Sequence, residues 1–135
     1  MDIQIATLCD AANDSQGKLN ILGAFDTLAT TKLPAAYYQC CIALRMTFNK
    51  GEEGSHKLKI NIVDEDGKPV MPSIEIGVEI AVPDETLFLS RNFIINIRQL
   101  TLPRPGLYSV DIFMGNEQKG SIPLHVKLMT LPQQQ

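Results

Sequence analysis

Ile74, Ile76, Val78, Ile80 and Val82 occupy alternate positions, with Glu75, Gly77, Glu79 and Ala81 between them. Successive side chains of an extended strand point to opposite faces, so this spacing puts an apolar face on a core and a polar face in water. A helix would scatter the same residues around its circumference. The pattern recurs along the chain. Leu58, Ile60 and Ile62 alternate with Lys57, Lys59 and Asn61. Tyr108, Val110, Ile112 and Met114 alternate with Ser109, Asp111 and Phe113. Ile122, Leu124, Val126 and Leu128 alternate with Pro123, His125 and Lys127. Antiparallel sheets with one face solvated read this way.

Four further segments read as strands with less contrast: Asp2 to Cys9, Lys18 to Thr30, Tyr38 to Asn49 and Thr86 to Arg98. Gly23 inside the second predicts a bulge or bend. Turn residues punctuate the runs at Asp10 to Gly17, Asn49 to Gly54, Asp64-Glu65-Asp66-Gly67, Pro83-Asp84-Glu85 and Gly115-Asn116-Glu117. About eight short strands at this turn spacing indicate a sandwich or barrel. The fold expected is an all-β, two-sheet antiparallel β-sandwich. Gly106-Leu107-Tyr108 opens the second-last strand, where many immunoglobulin-like sandwiches place a corner tyrosine. A plain inward aromatic is the alternative there. Ile60, Ile76, Val78, Phe93, Ile95, Tyr108, Val110, Ile112 and Leu124 are the expected core. Pro123 cannot donate to a ladder, so the last strand is expected to be a sheet edge at that point.

The chain has 135 residues, read as one domain over 1–130 and a flexible tail over 131–135. A chain of this size buries about two-thirds of its unfolded surface, so its core needs no metal or disulfide staple. Twelve basic against fifteen acidic residues leave a net charge of −3. Lys and Arg form no cluster of the kind nucleic-acid binders carry, which argues against a nucleic-acid partner. The amino-terminal stretch lacks the basic and apolar regions of a signal peptide. No apolar run reaches membrane-span length. A cytoplasmic location and no membrane partner are therefore expected. Three cysteines, an odd number, agree with a reducing compartment.

Leu8-Cys9-Asp10-Ala11-Ala12-Asn13 is followed by Gly17-Lys18-Leu19-Asn20-Ile21-Leu22-Gly23-Ala24-Phe25-Asp26-Thr27. Phe88-Leu89-Ser90-Arg91-Asn92-Phe93 lies further on, and Pro105-Gly106-Leu107-Tyr108 runs to Ile122-Pro123-Leu124. Together these stretches resemble a family of small uncharacterised bacterial proteins, a domain of unknown function. The resemblance runs from the first strand to about Val126 and implies a stand-alone bacterial domain. It brings no activity, cofactor or catalytic residue with it.

The residue types that carry chemistry are sparse. Cys9, Cys40 and Cys41 lack the Cys-x-x-Cys spacing of zinc sites. Cys40 and Cys41 are adjacent on a strand, so they face opposite ways. All three are expected to be reduced and to fill space. His56 and His125 stand at a strand entrance and on an outer strand face, with no nucleophile motif nearby. No catalytic residue and no cofactor is assigned, and an enzyme is not expected. If the strands simply alternate up and down, the turns at 10–17, 49–54, 83–85 and 115–117 share one end. Asp10, Asp14, Asp84 and Glu117 are then weak candidates for a calcium site, since calcium takes several carboxylate and carbonyl oxygens. A solvated acidic end is the simpler reading, because turns are rich in Asp and Asn. Phe113, Leu22 and Ile94 fall on outer faces. They mark an interface or lie under the connections at 31–38 and 99–105. The expected function is a non-catalytic protein-interaction module that forms a homo-oligomer. The alternative is a ligand- or calcium-binding domain, carbohydrate-related, that uses the acidic loops.

Overall fold

The computed structural model describes residues 1–130. The residues 131–135, read above as a flexible tail, lie outside the described residues. The strands are β1 (Asp2–Ser15), β2 (Lys18–Phe25), β3 (Thr27–Thr30), β4 (Ala35–Phe48), β5 (Gly54–Val63), β6 (Ile74–Ile80), β7 (Leu89–Leu102), β8 (Gly106–Met114) and β9 (Glu117–Leu128). A 3-10 turn, Lys50–Glu52, is capped by the Asn49 side chain. The strands form a four-stranded sheet, β2-β1-β4-β7, and a five-stranded sheet, β3-β9-β8-β5-β6. Pairing is antiparallel apart from β3 against β9.

The extra strand comes from the run 18–30, which reads as one strand and folds as two. The break falls at Asp26, not at Gly23. Up to Phe25 the chain pairs with β1 in one sheet; from Thr27 it pairs with β9 in the other. The crossing is held by the Asp26 carbonyl, which accepts the His125 amide at 2.7 Å. β3 covers β9 from His125 to Leu128, so the last strand is not a bare edge along its whole length. Pro123 sits just before the covered stretch, where a missing donor costs nothing.

Strands β1, β4 and β7 lie in the order of A, B and E in an immunoglobulin sandwich, and β9, β8 and β5 in the order of G, F and C. β6 adds to β5 where variable-type domains add a strand. Tyr108 makes the corner. Its hydroxyl donates to the Arg104 carbonyl at 2.6 Å and accepts the Arg104 amide at 3.1 Å. Two residues on, where antibody domains carry a cysteine, stands the fully buried Val110. Apolar packing here takes the place of an inter-sheet bridge.

The core lies between the sheets. Ile42, Leu44, Met46 and Phe48 of β4 meet Leu58, Ile60 and Ile62 of β5, with Val110, Ile112 and Leu124 beside them. Fully burying each such side chain contributes about 1.5–3 kcal/mol. Every residue expected in the core is buried except Ile76, which packs half-exposed against it. Burial along the edge strand β6 grades from one end to the other: Val78 and Ile80 are buried, and Ile76 lies nearer the less covered Ile74 end.

The first hairpin leaves the sheet plane. β1 pairs with β4 as far as Cys9 opposite Cys41, and beyond that with β2 alone, from Ala11–Leu22 to Ser15–Lys18. The stretch 10–17, read from sequence as one long turn, is therefore mostly strand. The turn itself is Gln16-Gly17, with φ of 53° and 80°. Positive φ at both positions belongs to the tight hairpin turn whose twist matches its strands. At the base of the hairpin Gly23 has φ 69°, and any side chain there would strike the Asp10 carboxylate. The hairpin bends here and doubles back over the outer face of the four-stranded sheet. Its tip is tied down there: Arg45 Nη1 donates to the Gly17 carbonyl at 2.9 Å, and Asn92 Nδ2 donates to Asp14 Oδ2 at 2.8 Å.

Candidate functional site

The carboxylates singled out from sequence go to different places. Asp10 accepts the Tyr37 hydroxyl at 3.2 Å. Asp14, at the hairpin tip, accepts Asn92 Nδ2 at 2.8 Å and the Gly17 amide at 3.0 Å. The Asn92 contact, then the Gly17 amide, hold its carboxyl below the usual range. Asp84 pairs with Lys50 at 2.6 Å, and Glu117 with Lys119 at 3.2 Å. Among the described residues no three His, Cys, Asp or Glu side chains are placed to hold a metal ion together.

The expectation that four turns share one end fails for the first of them. Lys50 Nζ reaches Glu53, Asp84 and the Val82 carbonyl, so the connections at 49–54 and 83–85 do meet. The Gly115 amide donates to the Lys57 carbonyl at 2.8 Å and brings 115–117 to β5. β1, however, starts opposite Thr47 and leaves the sheet opposite Cys41. Its exit is midway along β4, away from that end, and only the folded-back hairpin carries Asp14 partway home. Counting strands as a simple up-and-down series missed both the hairpin and the sheet crossing at Asp26.

His56 Nε2 lies 2.6 Å from the Glu52 carbonyl, a backbone contact that anchors the strand entrance. His125 is exposed on the outer face of β9. The cysteines are free and buried. Cys40 belongs to the main core, while Cys9 and Cys41 belong to a small outer cluster with Ala43. Burial pushes the Cys9 and Cys40 thiols up to about 11.

The outward apolar residues also separate. Ile94 is covered by neither connection considered from sequence. It packs in the outer cluster under Ala12, Leu19 and Ile21 of the hairpin. Phe113 is half-buried, with the Lys59 ammonium 5.7 Å from its ring centroid. Leu22 stays 69% exposed on the hairpin. Sequence reading missed Leu87, 91% exposed, and Phe88, 54% exposed. The sequence pattern puts both in a strand starting at Thr86, but β7 begins at Leu89. They end a loop pinned by Lys50 at Val82 and Asp84, and by the turn from Pro83 to the Thr86 amide at 2.9 Å. Two adjacent large apolar residues straight after Pro-Asp-Glu-Thr were the available signal.

A model of a family of unknown function (DUF6941) matches residues 4–127. The chain belongs to the DUF6941 family. No curated protein matches it. Among solved structures it is similar to an immunoglobulin-like protein from Pseudomonas aeruginosa. That likeness has 16% identity, spans 93% of this chain and 95% of the other, and has a TM-score of 0.39. The immunoglobulin-like arrangement of this DUF6941 domain rests instead on its own strand order and the Tyr108 corner.

Proposed function

We propose that this DUF6941 domain is a non-catalytic interaction module, bacterial and cytoplasmic, that self-associates through the loop presenting Leu87 and Phe88. The observation that carries this reading is a pinned loop that holds two neighbouring apolar side chains in water. Protein interfaces are anchored by a few aromatic and aliphatic side chains that lose their water on docking. A loop anchored at the buried Val82, with Lys50 on its carbonyl and a Pro83–Thr86 turn after it, gives up less conformational freedom when it docks. A second copy of the chain is the simplest partner, since symmetric homo-oligomers dominate soluble assemblies. The acidic turns give less support to a calcium-binding role, because each candidate carboxylate already has a donor or cation of its own.

Light scattering across a concentration series tests the proposal. The wild-type chain is expected to gain mass with concentration. Leu87→Asp with Phe88→Asp should hold it monomeric with its β-rich circular dichroism unchanged. Phe113→Lys, on a sheet face, should leave the association as it was. A wild-type chain that stays monomeric at high concentration defeats self-association outright. Loss of assembly in Phe113→Lys alone would move the interface to the sheet face.

A further inference from the structure

Cys9 and Cys41 stand directly opposite each other on the antiparallel strands β1 and β4. Opposed Cα atoms in such a ladder lie about 4.5–5.5 Å apart, inside the roughly 4.4–6.8 Å range that a disulfide spans. Both side chains are on the outer face, in the same small cluster. The Cys9 sulfur lies 3.7 Å from the Cys41 carbonyl oxygen. Cys40 is adjacent in sequence but points into the main core, so it cannot compete for either partner.

The cover over this pair is local. Ala12, Leu19 and Ile21 of the folded-back hairpin shield it, and the hairpin tip is tied by exposed polar contacts from Arg45 and Asn92. Segments held by exposed polar contacts open at far lower cost than the global core. Cys9 is next to the Asp10–Gly23 bend where the hairpin turns away from the sheet, so lifting the hairpin bares it first.

We propose that Cys9 and Cys41 are a redox pair that closes into a cross-strand disulfide by exchange with a low-molecular-weight disulfide. The β1–β2 hairpin is the gate. With the hairpin lifted, the Cys9 thiolate attacks one sulfur of the small disulfide, forming a mixed disulfide and releasing one small thiolate, which takes up the proton Cys9 gave up. The Cys41 thiolate then attacks the Cys9 sulfur and releases the second small thiolate, which is protonated in turn. The protein loses two protons and two electrons, and the small disulfide becomes two thiols. Burial holds both thiols above their ordinary range. A closed hairpin therefore keeps the pair inert, because only thiolates attack.

Native protein is incubated with oxidised glutathione, alkylated without reductant and mapped by mass spectrometry. The expected product is one intramolecular bond between Cys9 and Cys41, with Cys40 alkylated after denaturation. Oxidation should raise the melting temperature of the wild type and of Cys40→Ala, but not of Cys41→Ala. Cys9→Ala should be unable to form the bond. Asn92→Ala, which removes two of the ties on the hairpin tip, should speed closure several-fold. A fully alkylatable Cys9 and Cys41 after oxidation, or a bridge that includes Cys40, overturns the proposal. A closure rate unchanged in Asn92→Ala and Arg45→Ala together overturns the gate.

Discussion

The two faces of the four-stranded sheet are covered in different ways. The inner face meets the other sheet, and Leu44, Ile42 and Met46 on it are fully buried. The outer face carries Cys9, Cys41 and Ala43, equally buried, under a hairpin made by the same strand that supplies Cys9. The inner cover is the opposite sheet, assembled from the separate strands β5, β8 and β9. The outer cover is a local doubling-back, held by Ala12, Leu19 and Ile21 and by polar ties at its tip. Equal burial thus hides unequal stability. Removing the inner cover means unfolding the domain, while removing the outer one means opening a single hairpin.

The largest effect expected from breaking this contrast is on the inner face. Leu44→Ala should cost about 2–5 kcal/mol, because the lost contacts and the cavity left behind add together. A shift of the denaturation midpoint at unchanged slope measures it. Tyr108→Phe comes next. It removes the hydroxyl from between the Arg104 carbonyl and amide. Leaving these groups unpaired should cost about 1–3 kcal/mol. A variant as stable as the wild type would show the corner bond to be dispensable.

Ile21→Ala acts on the outer cover. It should cost about 1 kcal/mol, since the side chain is only partly buried. It should also speed hydrogen exchange in the hairpin and at Cys9 while leaving β5 and β8 protected. Acceleration spread evenly over both sheets would erase the contrast between the two covers. The smallest effect belongs to Asp14. Its folded pKa is depressed, first by Asn92 and then by the Gly17 amide. Its tie is therefore fully present above the ordinary carboxylate range and is lost as pH falls through the lowered folded value. Carboxyl chemical shifts followed through a pH titration should show a low Asp14 midpoint that returns toward normal in Asn92→Ala. An unchanged midpoint would mean that Asn92 does not tie down the tip.

Much of this was legible before folding was considered. The period-two runs marked most of the inward residues of the five-stranded sheet, while Ile42, Leu44 and Met46 of β4 lay in a run of less contrast and were not singled out. Gly106-Leu107-Tyr108 pointed to the corner that Tyr108 makes with Arg104. Gly23 was readable as a bend, and it is where the hairpin turns. The candidate site was far less legible. Leu87 and Phe88 read as the start of a strand because their apolar character is the same in either setting. Their exposure follows from their lying outside the ladder, between the turn at Pro83–Thr86 and the start of β7 at Leu89.

The sequence by itself determined which residues prefer the inside of a strand pair, because alternation is a local property of an extended chain. It determined too that Cys40 and Cys41 face opposite ways. Only the tertiary structure decided what each face meets. It set Cys9 against Cys41 through the register of β1 on β4, and covered them by folding a hairpin backward over their sheet. It carried the chain from one sheet to the other at Asp26 and left Asp10 away from the Asp84 end. The β1–β4 register, the crossing onto β9 and the cover over Cys41 are relations between distant segments. No window of the chain contains both partners, so no local pattern encodes them.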